Sequence, residues 1–91
     1  MKATVIDGKD NVAVVLGEVK CGDTITFVKN GVECSVVALN DIPVYHKFAN
    51  VDIKKGEPVV KYGEHIGIAG EDILAGAHVH VHNVVNHREE L

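Results

Sequence analysis

Ninety-one residues, 46% of them hydrophobic, suffice for one small domain, residues 1–91, with a real core. A formal net charge of −4 with no basic run longer than Lys54-Lys55 argues against a nucleic-acid partner, which clustered Lys and Arg would serve. The longest apolar run near the start, residues 12–16, is far too short to span a bilayer, and Asp7, Lys9 and Asp10 interrupt any signal-peptide pattern, so a cytoplasmic protein without a membrane partner is expected.

Tryptophan is absent and Phe27, Phe48, Tyr45 and Tyr62 are the only aromatics, which leaves valine and isoleucine to build the core and favours an all-β chain. Residues 3–6 read as a short strand and residues 7–11 as a turn. Residues 12–16 form a continuous apolar strand. Residues 24–28 alternate as a half-buried strand should, and Asn30-Gly31 then marks a two-residue hairpin, because both residues accept positive φ. Residues 32–39 return as its partner. Residues 42–45 are an extended link, since Pro43 is unsuited to a central strand. Strands follow over residues 46–49, 58–62 and 66–69, and a last one over residues 78–85. The tail from His87 to Leu91 is polar and is expected to fray or to begin a helix. Cys21 and Cys34 make no C-x-x-C motif, and two cysteines are no disulfide framework, so both are read as reduced structural residues.

An echo runs through the chain. Asp52-Ile53-Lys54-Lys55-Gly56 reappears 20 residues on as Asp72-Ile73-Leu74-Ala75-Gly76, with a weaker copy at Glu18-Val19-Lys20-Cys21-Gly22. An acidic residue, a buried anchor and a glycine at positive φ describe a tight corner leading into a new strand. Two or three copies are too few for a solenoid and fit a compact barrel-like or clipped β fold.

The chemistry concentrates in His78-Val79-His80-Val81-His82-Asn83. On a strand the three histidines share one face, with same-face neighbours roughly 6.5–7 Å apart, and the two valines share the other. Such a row can converge on one metal ion or one anion; it can also be an ordinary solvated sheet face. A metal site needs three or four ligands, so His78, His80 and His82 are the metal candidates. Protonated together they would repel, which places a change in metal or anion binding near pH 6–7. His46, Lys47, Lys61, Tyr62 and Asn83 add donors and cations suited to a hydroxy acid and are the substrate-binding candidates. His65 and His87 read as surface residues. No serine-nucleophile motif and no phosphate loop is present.

The segment Ile42-Pro43…His46-Lys47…Asp52-Ile53-x-x-Gly56-Glu57-Pro58-Val59-x-Lys61-Tyr62-Gly63…Ile66-Gly67…Ile73-x-x-Gly76-x-x-Val79-His80-Val81-His82-Asn83 resembles the amino-terminal domain of the altronate and galactarate dehydratase family. The resemblance implies an SAF-type domain with a β-clip fold. It implies a lyase that removes water from a sugar acid to give a 2-keto-3-deoxy acid, with a divalent metal such as iron, manganese or zinc held mainly by a large catalytic partner. The small subunit of a sulfolactate sulfo-lyase looks similar. Dehydratases of the family carry a much larger catalytic domain, so catalysis by this segment alone is not expected. The ends of the chain read as those of a small subunit rather than of an excised domain. A sugar-acid-binding module and a small metal-binding protein are the alternatives, and so small a core leaves room for a homo-oligomer.

Overall fold

The computed structural model describes residues 3–4 and 8–86, and every regular element among them is a strand. In chain order these are β1 (Ala3–Thr4), β2 (Val12–Val15), β3 (Thr24–Lys29), β4 (Val32–Val37), β5 (Lys47–Ala49), β6 (Pro58–Lys61), β7 (Glu64–Ala69), β8 (His78–Val79) and β9 (Val84–Val85). They form a four-stranded sheet in the order β1-β2-β5-β8, a β3-β4 hairpin and a three-stranded sheet β6-β7-β9, and every pairing is antiparallel. No helix among the described residues is long and apolar enough to cross a membrane. The all-β, clipped architecture is the one expected, with strand ends shifted by one or two residues except in the last expected strand, which is broken. The expected strand residues 5 and 6, Asp7 of the expected turn, and the tail from His87 lie outside the described residues.

The four-stranded sheet divides the interior, because alternate residues of its middle strands face opposite sides. Val12 and Ala49 stand opposite each other in the β2-β5 register and enter a core with Ile53, Val59, Ile73 and Val79. Ala13 and Phe48, the next pair, enter a second core with Val15, Val19, Ile25, Phe27 and Ile42. Phe27 and Phe48 meet edge to face there, with centroids 5.8 Å apart.

Four corners hold the sheets together, and all share one hydrogen-bond pattern. They occupy residues 15–23, 38–46, 49–57 and 69–77. The N–H of the eighth residue of each donates to the carbonyl that opens its partner corner: Gly22 to Ala38 at 2.8 Å, Tyr45 to Val15 at 3.0 Å, Gly56 to Ala69 at 2.9 Å and Gly76 to Ala49 at 2.8 Å. The buried anchors bridge within the pairs, Val19 with Ile42 and Ile53 with Ile73. The acidic residues reach across: Asp52 accepts from Ala75 N–H, Asp72 from Lys55 N–H and Asp41 from Cys21 N–H, each at 2.8 Å. Glu18, one methylene longer, instead pairs with Lys20 at 3.3 Å. The sequence repeat thus has a fourth member, Asp41-Ile42-Pro43-Val44-Tyr45. It escapes the pattern because Tyr45, at φ 65°, occupies the place that glycine fills in the other three.

Candidate functional site

Strand register builds the site. Phe48 of β5 faces His78 of β8, and the same register carried two residues further sets His46 against His80. The two rings lie 4.4 Å apart between centroids, and His78 is the diagonal neighbour, with His46 Nδ1 and His78 Nε2 in a 2.9 Å hydrogen bond. One coordinating nitrogen from each of His46, His78 and His80 falls within 4.8 Å of the others, and all three side chains are half-buried.

Asn83 fixes this arrangement. Its Oδ1 accepts the His80 N–H at 3.0 Å, its Nδ2 donates to the His78 carbonyl at 2.8 Å, and its own N–H donates to the His80 carbonyl at 3.1 Å. The side chain is buried at 6% exposure. From the other side, Asn40 Oδ1 accepts the His78 N–H at 2.9 Å.

This turn corrects the sequence expectation of one strand over residues 78–85. The Asn83 amide captures backbone groups that a strand ladder would use, so β8 stops at Val79 and the chain resumes as β9 at Val84. The single row of His78, His80 and His82 is lost with it. Val79 is fully buried, whereas Val81 is 57% exposed. His82 is exposed and lies outside the converging trio, although its ring centroid is 5.2 Å from that of His78. It lines a cleft of about 320 Å³ with Leu39, Asn40, Glu71, Leu74 and Asn83. His46, read from sequence as a substrate contact, takes the third place in the trio.

Burial first, then the neighbouring charges of His82, His46, His80 and Lys47, lower the pKa of His78 from 6.5 to about 4. This residue therefore stays neutral far below the pH 6–7 expected for the row. Lys47 is buried at 5% exposure. Strand alternation puts it on the opposite face from His46 and Phe48, and its neighbour across the ladder is Val79. Lys47 thus acts on His78 through its charge, as the smallest of the causes, rather than by lining the trio.

Lys61 and Tyr62 are elsewhere. They enter the β6-β7 turn, where Asp10 Oδ1 accepts the Gly63 N–H at 2.8 Å. Asp10 precedes β2, whereas the His46 carbonyl accepts the N–H of Val15 at the far end of the same strand. Five extended residues separate those ends, roughly 17 Å. The sequence-predicted residues thus fall into two groups, the trio with Lys47, His82 and Asn83 around it, and the distant Lys61-Tyr62 turn.

Residues 1–87 match the family model for the altronate/galactarate dehydratase SAF domain. The chain is 41% identical over 86 residues, 94% of its length, to an altronate dehydratase of Escherichia coli K12, and 37% identical over 78 residues to one of Bacillus subtilis. It spans only 17% and 15% of those two relatives. It is also 39% identical over 85 residues, 90% of each chain, to a (2R)-sulfolactate sulfo-lyase subunit alpha of Chromohalobacter salexigens.

Proposed function

The chain belongs to the altronate/galactarate dehydratase SAF-domain family, and from that premise we propose that it is the small component of a lyase acting on a sugar acid, with water as the leaving group and a 2-keto-3-deoxy acid as product. The observation that carries this reading is the convergence of His46, His78 and His80 on one point, set by strand register and locked by Asn83. Three ring nitrogens within 4.8 Å of one another, two of them hydrogen-bonded at 2.9 Å, are a donor set that one shared ion would use.

The donor set suits a divalent metal, iron, manganese or zinc. His46, His78 and His80 would hold it, each through one ring nitrogen. A bound metal would supply Lewis acidity toward the substrate's oxygens. The chain's own contribution is to hold the three imidazoles in place, with His78 kept neutral mainly by its burial. Three protein ligands are the number a catalytic site would use, where a closed structural site would use four. The group that removes the proton beside the carboxylate would belong to the larger catalytic part of the enzyme.

A second reading is favoured by the 39% identity to the sulfo-lyase subunit alpha over 90% of that relative: the same elimination with sulfite leaving in place of water. One experiment tests both. The chain is purified with its large catalytic partner, and turnover is measured on altronate, galactarate and (2R)-sulfolactate. Product from one of them, lost in His46→Ala and His80→Ala, is the expected result. Absence of turnover on all three overturns both readings.

A further inference from the structure

Two hairpins of this protein use the same turn. Asn30-Gly31 joins β3 to β4 at φ 53° and 76°, and Tyr62-Gly63 joins β6 to β7 at φ 55° and 76°. Asparagine visits the left-handed region readily; a bulky aromatic does so only when its surroundings over-determine it. They do so here. Asp10, 1% exposed, accepts the Gly63 N–H. Asn11 Oδ1 accepts the Val60 N–H at 2.7 Å, and its Nδ2 donates to the Pro58 carbonyl at 2.9 Å. Asn50, 4% exposed, donates from Nδ2 to the Asp10 carbonyl at 3.2 Å and accepts from Lys29 Nζ at 3.0 Å.

This buried polar frame presents Tyr62 at 55% exposure, with Lys61 Nζ 5.0 Å from its ring centroid. Small ligands are held in concave sites. Here Tyr62, Gly63, Glu64 and His65 are all exposed at the β6-β7 turn, and Tyr62 does not line the cleft of about 390 Å³ that His65 borders. An exposed tyrosine beside a lysine, on a backbone held by buried polar groups, has instead the chemistry of an anchor at a protein interface. The family domain makes up 15–17% of the altronate dehydratases it matches, so most of such an enzyme lies beyond it.

We propose that Lys61 and Tyr62 dock this domain onto the larger catalytic part of its lyase, with the phenol ring in a pocket of that partner and Lys61 against a carboxylate. The inference rests on the lyase reading above, which supplies the partner.

The test is calorimetric titration of the chain and of two variants onto the purified large catalytic partner, alongside thermal unfolding of each. Tyr62→Asn restores the residue that the sister turn carries, so it keeps the left-handed backbone and is expected to unfold no lower than wild type. It is expected to bind about 10-fold more weakly. Lys61→Glu is expected to weaken binding as well, and more so at low salt. Unchanged affinity in both variants overturns the docking role while leaving the lyase reading standing. Unchanged affinity with lower turnover at saturating partner also overturns it, in favour of a substrate contact. Failure of the lyase reading is seen separately, as a wild-type complex with no turnover on the three acids.

Discussion

His78 couples the site to folding. Its folded pKa of about 4 lies below the 6.5 of the free side chain, so between those values the unfolded chain binds more protons. Stability is therefore fully present above about pH 6.5 and declines as the pH falls toward 4. The residue is only half-buried, and solvent screening reduces the effect to on the order of 1 kcal/mol. Urea unfolding at pH 7 and pH 4 measures it, and His78→Gln is expected to flatten that part of the pH profile. Asn83 acts on the backbone instead. Its side chain serves two backbone groups of the 78–83 turn from a buried position, so Asn83→Ala is expected to cost about 1–3 kcal/mol in urea unfolding. The same variant should lose turnover in the complex, because the His80 backbone would no longer be held.

The corners set the scale of the elements, and two of their glycines separate backbone strain from crowding. Gly56 and Gly76 both sit in the left-handed half of φ, at 88° and 93°. A Cβ on Gly56 meets nothing within 4 Å, so Gly56→Ala should cost only the left-handed penalty of about 1 kcal/mol. A Cβ on Gly76 would fall 2.1 Å from the Val37 carbonyl oxygen, a backbone atom that cannot swing aside. Gly76→Ala is expected to lower the melting temperature far more than Gly56→Ala, and equal shifts in thermal unfolding would refute this account. Gly76 also precedes β8 by two residues, so its disruption should reach the histidines.

At the scale of the whole molecule, two cores of mainly valine, isoleucine and alanine share one sheet. Phe48 is the largest wholly buried side chain and stands opposite both Ala13 and His78. Phe48→Ala is expected to cost about 3–5 kcal/mol, comparable to the full stability of a domain this small, so circular dichroism should show a largely unfolded chain at room temperature. The same size argument favours assembly, where an interface adds to a marginal core.

The composition, the alternation of residues 24–28 and the Asn30-Gly31 hairpin signal were enough to mark an all-β chain, and the Asp-Ile-x-x-Gly echo was enough to mark repeated corners, because turns and strand faces depend on neighbours in sequence. The motifs quoted from residues 42–83 were also enough to place the chain in its family. The histidine trio was decided by the tertiary structure. His46 and His80 are far apart in sequence and meet only through the β5-β8 register, while the strand that would have aligned His82 is broken by a side-chain hydrogen bond of Asn83. Lys61 and Tyr62 were grouped with the histidines on chemistry, and the fold set them at the other end of β2. Local pattern fixes which face a residue takes on its own strand; which strands lie side by side is settled by long-range packing, and a site built across strands follows the second.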